Sequence, residues 1–253
     1  MSTWIFLRGL TRESRHWGNF PEVFRGAIAD ADVVALDLPG NGRLNRMDSP
    51  TDVQGMADYC HAEIMASGRN PPFFLLAMSL GAMVAVALAK AHPESVAGCV
   101  LINTSLRPYS PFHHRLRPAN YPQLLRRAVF GDSSEEWEAM ILNLTSNRRD
   151  DAMVTLKAWN ALRQECPVSR RNAMRQLWAA SRYRVDGKPT TPVLILASTM
   201  DRLVNPRCSR RLALRWKAHF AEHATAGHDL PLDDAVWVAA QVRDWLTRRD
   251  SVL

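Results

Sequence analysis

The chain has 253 residues, of which 47% are hydrophobic and 23% are charged, a balance typical of a folded globule with a full apolar core. This composition excludes intrinsic disorder, collagen-like repeats and a small fold held together by disulfides. The formal net charge of +7 favours a search for a polyanionic partner, although charge alone does not identify one.

Short apolar runs alternate along the chain with longer helical stretches. Continuous apolar runs are typical of strands that are buried on both faces of a parallel sheet. The alternation therefore predicts an α/β fold with a mostly parallel, doubly wound sheet. The predicted strands are residues 4–7, 33–38, 73–77, 99–103 and 193–197, with a weaker edge strand at 217–221. The predicted helices are residues 51–66, 80–92, 207–215 and 234–248, the last of them capped by Asp234.

One long segment interrupts this alternation. Residues 105–185 contain no convincing strand and are typical of several Arg-rich helices separated by prolines. They hold 14 Lys and Arg against 7 Asp and Glu, so this segment accounts for the entire net charge of the chain. The sequence therefore predicts a core of residues 1–104 and 186–253 and a helical lid inserted at residues 105–185, called the insertion below.

The sequence also limits where the protein works. No stretch reaches the roughly 18 uninterrupted apolar residues of a membrane helix, and the first residues lack the features of a secretory signal. The four cysteines are scattered without a paired or metal-like spacing. We therefore expect a cytoplasmic protein with no membrane span, no metal and no disulfide framework.

A serine at a strand-to-helix junction is the most informative feature. The predicted strand 73–77 leads almost directly into the helix 80–92, with Ser79 at the turn and Ala77 and Gly81 two places on either side. So tight a turn requires small neighbours, and it directs the serine hydroxyl outward at the end of the sheet. This setting predicts a nucleophile, whereas the alternative is a serine that only caps the helix.

A serine nucleophile needs a base and a group that orients the base. Asp201 follows the predicted strand 193–197, at the sheet edge where parallel folds build their sites. His228 lies in a later loop, directly after Gly227. The order Ser79, Asp201, His228 predicts a catalytic triad, and the alternative for each loop residue alone is a solvated side chain.

Together these motifs resemble the α/β-hydrolase superfamily over nearly the whole chain. Residues 77–81 are similar to the nucleophile elbow of that family, with alanine in place of the first glycine, and residues 37–42 resemble its D-x-x-G-x-G loop. Residues 200–206 and 227–228 are similar to its acid and histidine loops. The resemblance implies that the insertion is a lid and that the usual N-terminal strand hairpin is truncated.

The resemblance also implies an oxyanion hole formed by the backbone N–H groups of Leu10 and Leu80. Here the chain departs from the family, which often has His-Gly where this sequence has Arg8-Gly9. Because the hole uses backbone groups, the change of side chain is compatible with it. Arg8 either contacts an acidic substrate or pairs with a structural carboxylate, and we favour the pairing.

The implied function is that of a cap-bearing serine esterase without a cofactor, acting on carboxylic esters or thioesters. Similar esterases, including those that act on pimeloyl esters in biotin synthesis, hold a carrier protein on basic lid helices. The insertion is thus expected to dock an acyl carrier protein or coenzyme A, unless its arginines are only solvated. No nucleic-acid motif accompanies the charge. The substrate-binding candidates are Arg8, Trp17, Trp137 and Trp159, with Trp178 as a further tryptophan of the insertion.

Other functions have weaker support in the sequence. Members of the same superfamily include ligand-binding receptors, lyases and cofactor-free haloperoxidases, so these remain alternatives. Residues 40–45 begin like a dinucleotide-binding fingerprint but lack its third glycine. Residues 219–223 match the zinc-protease pattern H-x-x-E-H, which requires a helix, whereas we predict an edge strand there.

Overall fold

Six strands form one parallel sheet in the computed structural model, which describes residues 1–130 and 133–250. The strands are β1 (Ser2–Leu7), β2 (Ala31–Leu36), β3 (Phe73–Met78), β4 (Val96–Ile102), β5 (Val193–Ser198) and β6 (His219–His223). Their order across the sheet is β2-β1-β3-β4-β5-β6, and every neighbouring pair is parallel. The predicted strands, including the weaker edge strand, are confirmed.

Helices cover both faces of this sheet, which confirms the doubly wound fold. Along β1, Trp4 and Phe6 belong to one apolar cluster and Ile5 and Leu7 to the other, because alternate strand residues point to opposite faces. The helices α1 (Phe20–Ala27) and α11 (Ala235–Asp250) cover the first face, whereas α2 (Val53–Ala66), α3 (Leu80–Ala91) and α9 (Arg207–Trp216) cover the second.

The four predicted helices are present, and Asp234 caps the last one by accepting a hydrogen bond of 2.9 Å from Trp237 N. The prediction missed α1, whose sequence contains Pro21 and Gly26. Proline is compatible with the first turn of a helix, and Phe20 and Phe24 stabilise α1 by packing into the core. In the described residues, no helix is long and apolar enough to cross a membrane.

The insertion lies between β4 and β5 and is helical. It contains α4 (Phe112–Arg115), α5 (Tyr121–Phe130), α6 (Ser134–Thr145), α7 (Ala152–Glu165) and α8 (Arg170–Arg182), and the short α10 (Leu230–Asp233) lies later, before α11. The insertion leaves and re-enters the core at one place, where Val185 N donates to Arg107 O at 3.0 Å. The domain boundaries at residues 104 and 186 stay a prediction.

The strand order also locates a crevice. From β1 the chain moves to β2 at one edge of the sheet, whereas from β3 it proceeds to β4 in the opposite direction. The connections after β1 and β3 thus diverge, and ligands of open α/β sheets bind where neighbouring strands diverge in this way. The loop after Leu7 and the turn after Met78 border this point.

Candidate active site

Ser79 occupies a strained turn between β3 and α3. Its backbone angles are φ 54° and ψ −119°, a conformation that residues other than glycine rarely adopt and that persists only where neighbours enforce it. Here the enforcing contacts come from β4 and the residues that follow it. Ser79 N donates to Ile102 O at 3.0 Å, and Thr104 Oγ1 donates to Ser79 O at 3.0 Å.

The small residues around Ser79 permit a close backbone approach. A Cβ atom on Gly81 would lie 2.4 Å from Leu7 O and 2.5 Å from Arg8 O. A Cβ atom on Gly9 would lie 3.1 Å from Ser79 Cβ. The first turn of α3 therefore packs directly on the loop after β1, and this packing brings that loop next to the serine.

Asp201 and His228 form a buried pair. His228 Nδ1 lies 2.7 Å from Asp201 Oδ2, and the two residues are 3% and 1% exposed. The other carboxylate oxygen of Asp201 accepts hydrogen bonds from Leu203 N at 2.8 Å and Val204 N at 2.9 Å. The loop thus fixes the carboxylate, the carboxylate fixes the imidazole, and Nε2 is left as the ring nitrogen for proton transfer.

The relation between the Ser79 hydroxyl and the His228 ring differs from that between Asp201 and His228. In the part of the chain that the structure describes, no hydrogen bond joins the Ser79 hydroxyl to the His228 ring. Such bonds are often long in free enzymes and shorten when substrate binds. The complete triad therefore stays a prediction, although its acid and base are paired.

Asn103 is a residue that the sequence analysis did not single out. Its side-chain amide donates to His228 O at 2.8 Å and to Ser198 Oγ at 2.9 Å, and its side-chain oxygen accepts from Ser198 N at 2.8 Å. It directly precedes Thr104, which holds Ser79 O. Asn103 has φ 46°, which asparagine tolerates better than most residues. The sequence signal for this residue is an asparagine at the end of a buried strand, but the predicted strand 99–103 includes it as an ordinary strand residue.

The proposed oxyanion donors flank Ser79. Leu80 is the first residue of α3, where the backbone N–H has no acceptor within the helix. Leu10 follows Gly9, whose carbonyl accepts from Arg12 N at 3.2 Å. Among the described residues, no hydrogen bond is formed by Leu10 N–H. Both N–H groups are thus available, and their role as an oxyanion hole stays a prediction.

Arg8 pairs with a carboxylate, the alternative we favoured. Its Nη1 and Nη2 atoms donate to the two oxygens of Asp229 at 3.0 Å and 2.5 Å, and both side chains are buried. The guanidinium also lies 4.8 Å from the ring centroid of Trp17. Because Asp229 follows His228, the ion pair holds the histidine loop against the loop after β1. Trp17 is 3% exposed and packs in the core.

The tryptophans of the insertion each stack with an arginine. Arg12 lies 4.4 Å from the ring centroid of Trp159, which is buried, and Arg163 lies 5.3 Å from that of Trp137. Trp178 is 54% exposed and carries Arg182 at 5.0 Å. These contacts give each ring a packing role, and its contact with substrate stays a prediction.

A buried charged cluster joins the insertion to the core. Glu138 on α6 accepts from Arg12 at 2.6 Å and from Arg163 at 3.3 Å, and Arg12 also lies 2.8 Å from His16 Nε2. Burial, followed by the charges of Arg12 and Arg8, lowers the pKa of His16 well below its ordinary value. Burial also lowers the pKa of Arg12, against the opposing effect of Glu138.

Two motifs have structural rather than cofactor-binding surroundings. His219–His223 is strand β6, not the helix that a zinc-protease motif needs, and His223 Nδ1 accepts from Ala226 N at 2.9 Å. In the glycine-containing loop, a Cβ atom on Gly42 would lie 2.2 Å from an oxygen of Asp37, so this glycine serves the loop's own packing. Within the described residues, no group of three or more potential ligands could hold a metal ion.

Comparisons with known proteins identify the family of the chain and agree with its fold. The sequence model of the alpha/beta hydrolase family matches residues 4–241. A curated relative, the biotin biosynthesis bifunctional protein BioHC of Teredinibacter turnerae, is 25% identical over 276 residues, which cover 98% of this chain and 45% of that protein. The chain therefore spans less than half the length of this relative.

Two further similarities cover most of both chains. The pimeloyl-(acyl-carrier protein) methyl ester esterase of Neisseria meningitidis is 25% identical over 244 residues, which are 91% of this chain and 74% of that protein. A solved thermophilic esterase from Thermogutta terrifontis superimposes with a TM-score of 0.73 at 19% identity, covering 98% of this chain and 90% of the other. At that identity the structural similarity shows the fold alone.

Proposed function

The chain belongs to the alpha/beta hydrolase family, and we propose that it is a serine hydrolase of carboxylic esters or thioesters. The observation that carries this proposal is the buried pair of Asp201 and His228. Asn103 and Thr104, at the end of β4, tie that pair to the strained turn of Ser79. The proposal is thus supported by a base that is paired with its orienting acid and by a serine whose neighbours force it out of ordinary backbone geometry.

In the proposed reaction, Ser79 Oγ attacks the acyl carbonyl carbon and transfers its proton to His228 Nε2. The negative charge that develops on the carbonyl oxygen is stabilised by the N–H groups of Leu10 and Leu80. His228 then protonates the leaving alcohol or thiol, which departs and leaves the acyl group on Ser79. His228 next takes a proton from a water molecule, whose oxygen bonds to the acyl carbon. The bond from that carbon to Ser79 Oγ then breaks, His228 returns the proton to Ser79 Oγ, and the acid departs. Asp201 keeps Nδ1 protonated throughout.

The first test is removal of the nucleophile. We expect Ser79→Ala to lower kcat on p-nitrophenyl esters by about 10⁴-fold or more. Ser67→Ala, at an exposed position directly after α2 and before the start of β3, is the matched control and should keep wild-type turnover. Wild-type kcat in purified, folded Ser79→Ala protein would refute the proposal.

A second measurement separates hydrolysis from the other functions of this superfamily. A fluorophosphonate should label Ser79 rapidly in the wild type and leave Ser79→Ala unlabelled, whereas a receptor-like site would react slowly or not at all. In ¹⁸O-enriched water, a hydrolase places one labelled oxygen in the acid product. A lyase or a haloperoxidase would label the serine but would not form that product.

We further propose that the acyl group arrives on an acidic carrier that docks on α8. This helix contains four arginines and no acidic residue. It exposes Met174 at 62%, Leu177 at 42% and Trp178 at 54%, and their spacing places them on one side of the helix. Exposed apolar side chains between cations favour a protein surface such as an acyl carrier protein over coenzyme A, whose phosphates need only the cations.

Other arginines of the insertion have internal partners. Arg115 donates to Ala180 O at 2.6 Å, and Arg163 binds Glu138. Arg170 and Arg182, by contrast, are exposed at the two ends of α8. These two residues are therefore the ones to test for docking.

We expect Arg170→Gln together with Arg182→Gln to raise KM for a carrier-linked acyl ester by about tenfold, without changing kinetics on p-nitrophenyl acetate. The control replaces Arg25 and Arg243 by Gln, which removes the same charge from α1 and α11 on the other face of the sheet. Equal effects of both double variants, or equal effects on both substrates, would contradict docking on α8.

A further inference from the structure

The inner face of α8 holds two buried amides that contact the loops around the proposed site. Gln176 is 0% exposed and Asn172 is 3% exposed, and because they are four residues apart they lie on the same face of the helix. Asn172 donates to Met47 O at 2.8 Å and accepts from Ser49 N at 2.9 Å. This pair binds α8 to the segment that follows β2.

Gln176 reaches the loop that follows β1. Its Oε1 atom accepts a hydrogen bond from Thr11 N at 2.9 Å, and its Nε2 atom donates to Asn41 Oδ1 at 2.7 Å and to Ser49 Oγ at 3.0 Å. Asn41, also 0% exposed, in turn donates to Arg12 O at 2.9 Å. Both polar atoms of the Gln176 amide are therefore hydrogen-bonded, and the network holds both Thr11 and Arg12 in place.

Thr11 and Arg12 directly follow Leu10 and complete the turn that contains its N–H group. Arg12 N donates to Gly9 O at 3.2 Å. Because the Gly9–Leu10 peptide is planar and trans, its N–H points away from that carbonyl, toward the outside of the turn. Thr11 has φ 56°, a conformation that is unfavourable for a β-branched residue and needs outside support. The hydrogen bond from Thr11 N to Gln176 supplies that support.

We propose that Gln176 is a positioning residue that aims Leu10 N–H at the reacting carbonyl, so that a helix of the insertion sets the oxyanion hole. This inference rests on the proposed function for its kinetic consequence. Gln176 is fully buried and, among the described residues, forms no hydrogen bond with Ser79, so its effect passes through the turn at residues 9–12. A misdirected donor weakens binding of the developing oxyanion more than binding of the ground-state ester.

The test replaces the amide by a side chain of similar length without hydrogen bonds, Gln176→Met. We expect kcat to fall about 10- to 100-fold with little change in KM, because a displaced donor costs part of the effect of a deleted one. Affinity for a trifluoromethyl ketone, which forms a tetrahedral adduct with the serine, should fall by a similar factor. Gln164→Met on α7, at an exposed position, is the matched control and should behave as the wild type.

A second variant separates positioning from packing. Gln176→Glu keeps the acceptor for Thr11 N, and a buried carboxylic acid that stays protonated can also donate to Asn41. It should recover most of the kcat lost in Gln176→Met, and it serves as the deciding variant if the methionine protein does not fold. Equal losses in both variants, or an unchanged kcat in folded Gln176→Met, would overturn the positioning role.

Amide hydrogen exchange distinguishes failure of this inference from failure of the proposed function. Peptides covering residues 9–12 should exchange faster in Gln176→Met than in the wild type, whatever reaction the protein catalyses. Unchanged exchange in this segment would contradict the anchoring by Gln176. A wild type that cleaves no ester but shows the faster exchange in the variant would refute the hydrolase proposal and leave the anchor in place.

Discussion

At the scale of single residues, the site depends on side chains that fix loops as much as on those that would react. Asp201 uses one oxygen to close its own loop and the other to orient His228. Arg8 and Asp229 join the loops on the two sides of the crevice through a buried ion pair. Each loop is thus held by a neighbour that is distant in sequence, which keeps the geometry of the site before substrate arrives.

Asn103 gives the sharpest prediction at this scale. We expect Asn103→Ala to destabilise the protein by about 2–4 kcal/mol, because it leaves His228 O and Ser198 N buried without partners. It should also lower kcat by loosening the histidine loop. The measurements are urea unfolding and ester kinetics, with Asn143→Ala on the exposed side of α6 as the control.

A carboxylate in place of the Asn103 amide tests the hydrogen bond to His228 O separately. Asn103→Asp keeps an acceptor for Ser198 N but loses the donor to His228 O, so it should impair kcat at least as much as the alanine variant. If both variants retain wild-type kcat, Asn103 does not position His228.

Candidate site residues could be proposed from the sequence where the chemistry has a local pattern. Ser79 stands between small residues at a strand end, and Asp201 and His228 lie in loops whose motifs extend over only a few positions. The contacts that hold the loops around these residues were not predictable in the same way. Arg8 and Asp229 are 221 positions apart, and Gln176 and Thr11 are 165 apart, so only the folded chain brings them into contact.

At the scale of secondary structure, apolar runs were sufficient to find the strands because both faces of the sheet are covered. The predicted elements were wrong or missing where features other than apolar runs determine the structure. β6 begins at His219 rather than at residue 217, since Lys217 takes a left-handed conformation that ends α9. α1 was missed because its stability comes from two phenylalanines packed into the core rather than from intrinsic helix propensity.

The close packing of α3 against the loop after β1, next to the turn at Ser79, can be tested by substitution of a glycine. We expect Gly81→Ala to destabilise the protein by about 3 kcal/mol, because the added methyl group meets the backbone oxygens of Leu7 and Arg8, which cannot move away alone. Gly26→Ala on α1 is the matched control, since no atom of the residues that the structure describes lies within 4 Å of its added Cβ. That variant should gain about 0.5–1 kcal/mol from helix propensity.

Thermal and urea unfolding of the two glycine variants measure this difference directly. A Gly81→Ala protein as stable as the wild type would mean that α3 can retreat from the loop after β1. The close approach would then not be required for the turn at Ser79.

At the scale of the whole molecule, the insertion is attached on both sides of the crevice. On the histidine side, Asp229 N donates to Thr145 O at 2.7 Å, and Asp233 accepts from both Gly227 N and Asn147 N. On the opposite side, α8 is attached to the loop after β1 by the hydrogen bond from Thr11 N to Gln176. The sequence predicted the insertion from its charge and missing strands, but it could not predict these attachments, which join residues distant in sequence.

The charged cluster beneath the insertion makes stability depend on pH. Both ring nitrogens of His16 face N–H donors, Arg12 Nη1 at 2.8 Å and Glu13 N at 3.2 Å. The neutral ring accepts from one of them, whereas a protonated ring would direct an N–H group at each donor. Its pKa is accordingly lowered well below the ordinary value. The unfolded chain binds this proton near pH 6.5 whereas the folded protein does not, so stability is complete above that pH and falls as the pH decreases below it.

We expect the free energy of unfolding of the wild type to fall below pH 6.5 more steeply than that of His16→Gln, by about 1.4 kcal/mol per pH unit. Urea unfolding at several pH values between about 5 and 8 measures the two slopes, and comparing slopes removes the constant cost of the substitution. His113→Gln, at an exposed position, should keep the wild-type slope. Parallel curves for the wild type and His16→Gln would show that the cluster admits the proton, and His16 would then not be the source of the pH dependence.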